Sequence, residues 1–191
     1  MTSVAKLNMP AQSLESSDAG VRKVLEKAKA QVGFIPNMYA NMVNSPGLLD
    51  TYLDGYARFR SESGFTPVEQ EVVFLVISAS NGCGYCTAAH SMIADKMSKV
   101  PADVLQALRA GKPLADARLA ALAKFTRTLF DSRGRPSQAD LNSFRVAGYS
   151  DRQALEIVLA MAVKTLSNYA NHLFHTEVDG MFADYKLAPA A

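Results

Sequence analysis

The chain has no tryptophan, only two cysteines and only three histidines in its 191 residues. Two cysteines cannot form a disulfide framework for a domain of this size, and a chain this long does not need one. Net charge is only +2 and no basic tract stands out, so the electrostatic footprint of a nucleic-acid binder is missing. No apolar run reaches the roughly 18 residues expected of a membrane-spanning helix. Met1 to Leu14 lacks the basic n-region and apolar h-region of a secretory signal. The expected location is therefore the cytoplasm, where structural disulfides are rare and a close cysteine pair points to catalysis or metal binding. Convincing apolar–polar alternation is also missing, as are internal repeats and low-complexity stretches.

What is present is helical punctuation. Hydrophobic residues make up 49% and charged residues 20%, enough for one sizeable core in a single domain over residues 1–191. Ser17 or Asp18 is placed to cap a helix to about Val32, with Val21, Val24, Leu25, Ala28 and Val32 as its apolar stripe. Pro36 breaks the chain before a short helix over Met38–Val43. Ser45-Pro46 opens the next, to about Glu62. Thr66-Pro67-Val68-Glu69 is a capping box opening Pro67–Ser80. Within it, Val72 to Ile77 are consecutively apolar; the strong cap favours a helix buried on nearly all sides over a strand.

Asn81-Gly82 breaks that helix, and Cys83 stands at the start of another, to about Met97. Pro101–Ala110, Ala115–Asp131, Ser137–Ala147 and Ser150–Asn171 follow. In Ala115–Asp131, Leu119, Leu122, Ala123, Phe125, Thr126 and Leu129 are expected to face the core. The tail from Leu187 to Ala191 is expected to be disordered. The fold class is all-α.

Chemistry concentrates in Cys83-Gly84-Tyr85-Cys86 and His90. On a helix, spacings of three and four residues put the two thiols and the imidazole on one face. Cys86 and His90 lie one turn apart, within reach of a thiol-to-imidazole hydrogen bond. Cys83, at the helix N-terminus, gains from the dipole and unpaired N–H groups. The dipole thus favours a thiolate at Cys83 and the base favours one at Cys86, leaving the nucleophile open between them. A base histidine needs its other nitrogen oriented, typically by a carboxylate. Glu69 is committed to the capping box; Glu71 has no such duty and begins the most apolar stretch of the chain. It must lie near the surface, be paired, or be protonated.

These residues carry a resemblance. Glu71, Cys83-x-x-Cys86 and His90, at these spacings, resemble the signature of AhpD-like alkylhydroperoxidases of the carboxymuconolactone decarboxylase superfamily. Ser80-Asn81-Gly82-Cys83-Gly84-Tyr85-Cys86-Thr87-Ala88-Ala89-His90 resembles the peroxidase-related branch. So do Gly33-Phe34-Ile35-Pro36-Asn37, Ser45-Pro46 and Asn168-Tyr169-Ala170-Asn171-His172. The likeness is densest over about residues 46–130.

The resemblance implies an AhpD-like multi-helix domain, with the CxxC at a helix N-terminus, that assembles as a homo-oligomer, often a trimer or hexamer. It implies a thiol peroxidase that needs no cofactor or metal. Cys86 would attack the peroxide, His90 would be its base, Glu71 would orient His90, and Cys83 would condense with the Cys86 sulfenic acid to a disulfide. A dithiol donor, a lipoylated protein in the family's type member, would reset the pair. The type member also has a second histidine between its cysteines, where this chain has Gly84-Tyr85; Tyr85, with an ordinary pKa near ~10, is a poor base at neutral pH. The decarboxylase branch generally lacks the CxxC, so lactone decarboxylation is not expected.

Two other readings stand beside this one. The first is a disulfide oxidoreductase or redox sensor acting on a protein partner. The second is a non-enzymatic helical oligomer, structural or metal-binding, with Cys83, Cys86, His90 and one of His172 or His175 as zinc ligands. A thioredoxin-like site would require a strand before the CxxC. His172 falls in a polar cluster with Asn168, Asn171, Thr176 and Asp179, which reads as helix-end packing, a subunit contact or a role near substrate; His175 reads as a surface residue.

Overall fold

Caps and prolines start the helices largely where the sequence places them. The computed structural model describes residues 4–187. Among the described residues there are nine α-helices and no strand. They are α1 (Ala19–Val32), α2 (Asn37–Met42), α3 (Pro46–Glu62), α4 (Pro67–Ser80), α5 (Gly84–Lys96), α6 (Ala102–Arg109), α7 (Ala117–Asp131), α8 (Gln138–Val146) and α9 (Asp151–Phe174). A 3₁₀ turn over Gly180–Tyr185 follows. It lacked any sequence expectation, being too short to show a helical period. Beyond Leu187, the expected tail disorder lies outside the described residues. No described helix is long and apolar enough to cross a membrane.

Asp18 caps α1, and its Oδ1 accepts from the backbone N–H of Gly20 at 2.7 Å. Thr66 and Glu69 form the reciprocal capping box of α4, and Ser150 and Gln153 that of α9. Ser137 and Asp140 form a third box on α8.

α4 is the central helix, packed by α5, α6, α7 and α9. Every residue from Glu69 to Ser78 is buried, as a helix apolar on nearly all sides requires. Two core clusters result. One gathers Phe59, Phe74, Leu122, Phe144 and Ile157. The other gathers Leu25, Met42, Leu49, Leu53 and both cysteines. α9 runs through both, giving Ile157 and Ala160 to the first and Val163 and Ala170 to the second. α3 closes against α9 at Gly55, where an added Cβ would stand 2.8 Å from Val163 Cγ2.

The turn between α4 and α5 fixes the thiols. Gly82 sits at φ 66°, the left-handed conformation suited to glycine. The Gly82 N–H donates to Ala79 O at 3.0 Å and the Cys83 N–H to Ser78 O at 2.9 Å. This is the paired Schellman closure of α4. Its final residue, Cys83, is also the N-cap of α5. One turn therefore ends the central helix and starts the cysteine helix.

Candidate active site

Cys83 and Cys86 lie at the α4–α5 junction, Glu71 of α4 pairs with His90 of α5, and all four are buried. Glu71 is paired rather than exposed. Its Oε2 accepts from His90 Nδ1 at 2.9 Å. Its Oε1 meets Arg60 Nη2 at 2.5 Å and accepts from Ser98 Oγ at 3.4 Å. Burial opposes charge on Glu71, but His90 and Arg60 outweigh it and hold its pKa below the ordinary value. Arg60 is fixed in turn by Tyr56 OH at 2.6 Å and Gln70 Oε1 at 3.0 Å.

Burial, reinforced by the charge of Lys164, pushes the His90 pKa down to about 4 against the opposing pull of Glu71. The ring is therefore neutral at pH 7. With Nδ1–H donated to Glu71, Nε2 is the nitrogen left to receive a proton. Phe74 supports the ring, with centroids 4.7 Å apart.

Cys86 does not make the expected bond to His90. Its Sγ turns toward α9, where Asn171 Nδ2 lies at 3.3 Å and Ser167 Oγ at 3.9 Å. The His90 ring turns toward α4, because Glu71 holds Nδ1. The two groups instead border one cavity of about 590 Å³. Burial works against charge on Cys86, yet the Cys83 thiol, Lys164, His90 and Ser167 take its pKa well below the ordinary thiol value. The Cys83 pKa moves up, chiefly because its thiol donates to Cys86 and is itself buried. Both directions favour negative charge on Cys86 over Cys83.

Three contributors, Lys164, Ser167 and Arg60, carried no sequence expectation, and Asn171 was expected only in the polar cluster around His172. Lys164, in the middle of α9, is only 1% exposed and borders the cavity. Its Nζ lies 5.6 Å from the Phe74 ring centroid, and no carboxylate pairs with it among the described residues. A lone lysine in the apolar run from Ile157 to Leu166 was the available signal. Ser167 and Asn171 lie one and two turns beyond it on the same helix, and Arg60 ends α3.

Tyr85 is not free to relay protons. Its OH donates to Asp179 Oδ2, and burial together with that carboxylate moves its pKa upward. The Met38 N–H also reaches it, at 3.4 Å. Asp179 accepts from the Asn37 N–H at 3.0 Å, so one carboxylate ties α2, α5 and the 3₁₀ turn together. The cavity walls are otherwise largely apolar and aromatic, with Phe34, Tyr39, Tyr52, Met92 and Phe182 among them.

His172 and His175 lie apart from His90. His175 ends α9 in a left-handed conformation, and its Nε2 lies 3.2 Å from Ala5 O. His172 stacks on Tyr169, with centroids 6.3 Å apart. Among the described residues no three His, Cys, Asp or Glu side chains gather as a metal site, so the zinc alternative has no ligand set there.

Residues 46–127 match the carboxymuconolactone decarboxylase family. No curated protein matches the sequence. Among solved structures, the chain is similar to an alkylhydroperoxidase AhpD core, an uncharacterized peroxidase-related protein from Ralstonia eutropha JMP134. That likeness has a TM-score of 0.77 at 20% identity, over 95% of this chain and 96% of that one. An uncharacterized peroxidase-related protein from Silicibacter sp. TM1040 aligns with a TM-score of 0.74 at 22% identity, over 95% of each chain. The debrominase Bmp8 aligns with a TM-score of 0.72 at 18% identity, over 93% of this chain and 96% of that one. The family match spans α3 to most of α7, and the likeness in fold to the peroxidase-related proteins extends over nearly the whole chain.

Proposed function

We propose that this chain is a thiol peroxidase that reduces organic hydroperoxides through a Cys83–Cys86 dithiol/disulfide cycle. The observation that carries the reading is a buried Cys86, favoured as thiolate, on a large apolar cavity shared with the Glu71-oriented His90. The Cys86 thiolate attacks the terminal oxygen of the hydroperoxide. An S–O bond forms, the O–O bond breaks and the alkoxide departs. His90 Nε2 carries the hydroperoxide proton to the alkoxide, giving the alcohol. Cys83 then attacks the Cys86 sulfenate, and oxygen leaves as water with the Cys83 proton and one proton from solvent. A dithiol donor returns two electrons. A cytoplasmic setting, where thiol pools stay reduced, suits this cycle.

Purified protein is expected to convert cumene hydroperoxide to its alcohol with dithiothreitol as donor, and Cys86→Ser to abolish turnover. Unchanged turnover in Cys86→Ser contradicts the reading.

The aromatic cavity walls favour a second reading, in which the same thiolate takes halogen from a halogenated aromatic. The likeness to debrominase Bmp8, also solved as a cysteine-to-alanine variant in complex with 2,3,4-tribromopyrrole, adds to it. Bromide release from a bromopyrrole with dithiothreitol, without hydroperoxide turnover, selects this reading. A disulfide that forms reversibly without either turnover selects the redox-sensor alternative. Assembly as a homo-oligomer, trimeric or hexameric, is supported by the exposed apolar side chains Leu155, Val158, Tyr169 and Leu173 on α9; sedimentation of the purified protein tests it.

A further inference from the structure

The two cysteines border different spaces. Cys86 borders the 590 Å³ apolar cavity and Cys83 does not. Cys83 instead lies on a separate, more open cleft of about 500 Å³, with Gly84, Asn171, His172 and Thr176. Tyr85 lines both spaces and is pinned to Asp179, so it forms the wall between them. Residues that line the cleft also hold buried polar atoms with no partner inside the fold. Asn171 is 4% exposed and its Nδ2 serves the thiols, yet its Oδ1 is buried without a hydrogen-bond partner. His172 Nε2 is likewise buried and unpartnered. Leaving two such atoms unsatisfied costs stability unless a ligand meets them.

We propose that this second cleft is the entry site for the reductant, a slender dithiol that attacks Cys83 from the side of Tyr85 opposite the substrate. The inference rests on the dithiol/disulfide cycle above, but not on peroxide as oxidant. Cys83 is only 1% exposed at the cleft floor, which a narrow thiol arm reaches and a broad protein surface does not.

The donor's first thiol attacks as thiolate, and its sulfur bonds Cys83 Sγ. The Cys83–Cys86 bond breaks and Cys86 leaves as thiolate, beside Asn171 and the charge of Lys164. A stabilised thiolate is the better leaving group, which directs attack to Cys83. The donor's second thiol then attacks its own sulfur in the mixed disulfide. Cys83 leaves and takes up a proton, the other proton passes to solvent, and the donor departs as disulfide. Two electrons have moved, and oxidant and reductant never compete for one opening.

The test separates the two openings. Gly84→Phe sets a bulky side chain at the cleft that Gly84 lines, where an added Cβ meets nothing within 4 Å. Ala89→Leu fills the substrate cavity, which Ala89 lines. Each protein is oxidised with diamide, and its reduction by dithiothreitol is timed by thiol labelling. In the dithiol form, alkylation of Cys86 by iodoacetamide is timed by mass spectrometry. Gly84→Phe is expected to slow reduction at least tenfold relative to alkylation, and Ala89→Leu to show the opposite bias. Equal slowing of both steps in Gly84→Phe, unchanged reduction, or a change in oligomeric mass that marks the cleft as a subunit contact overturns the proposal. If Gly84→Phe does not fold, Thr176→Tyr is expected to give the same bias, and its absence overturns the proposal equally. A disulfide that forms with diamide but never with hydroperoxide removes the peroxide reading alone. No disulfide with either oxidant removes both.

Discussion

Asn171 donates to the Cys86 sulfur across 3.3 Å and stands 3.9 Å from that of Cys83. One amide thus touches both ends of the bond that the proposed redox cycle would make and break. A neutral donor to a thiolate is a charge-assisted hydrogen bond worth about 1.5 kcal/mol or more. In Asn171→Leu, the acid limb of the pH profile for iodoacetamide alkylation of Cys86 is expected to move upward. At mildly acidic pH the rate falls about tenfold. An unmoved limb contradicts the assigned contact.

Lys164 supplies the positive charge that the burial of Cys86 otherwise lacks. In Lys164→Met the acid limb is expected to move upward as well, and Lys164→Arg restores it in part. Stability should hold within about 1 kcal/mol, because an apolar side chain of similar volume replaces a buried ion. A packing role alone would change stability and leave the pH profile where it is.

His90 makes stability fall with acid. Its folded pKa is about 4, below the ordinary 6.5. Between those pH values the unfolded chain binds a proton that the folded protein refuses. Stability contributed by the neutral ring is therefore whole above pH 6.5 and is lost progressively toward pH 4, by about 3 kcal/mol. Glu71, lowered below its ordinary value, adds a loss of the same sign as pH falls through its folded pKa. Denaturant titrations across this range are expected to show the slope, and His90→Gln to flatten it.

Tyr85, between the cysteines where the type member has a second histidine, is held by Asp179 and is not expected to relay protons. A true proton relay contributes roughly 10²–10⁴-fold to a rate. Tyr85→Phe is expected to change the rate of Cys86 oxidation by less than about threefold, measured in single turnover. A hundredfold loss would restore Tyr85 to the relay.

Much of this was legible in the primary structure, for local reasons. Thr66-Pro67 and the box partner Glu69 start α4, and Gly82 closes it, whatever the rest of the chain does. The Cys83, Cys86 and His90 spacing, with Glu71 unclaimed by the cap, marked the cluster. What stayed hidden depends on contacts far apart in sequence. Asn171 reaches the thiols across 85 residues, and Tyr85 reaches Asp179 across 94. Side-chain direction was equally unreadable. Cys86 and His90 share a helix face, yet α9 draws one aside and Glu71 the other.

The central claim is that Cys83 and Cys86 are a single two-electron couple driven by peroxide. The most direct measurement is thiol titration before and after one equivalent of organic hydroperoxide, with the mass of the product. The account predicts that both thiols vanish together, the protein loses the mass of two hydrogens and dithiothreitol brings both back. Two thiols still titratable after the hydroperoxide, or a stable gain of oxygen on Cys86 with Cys83 free, would contradict it.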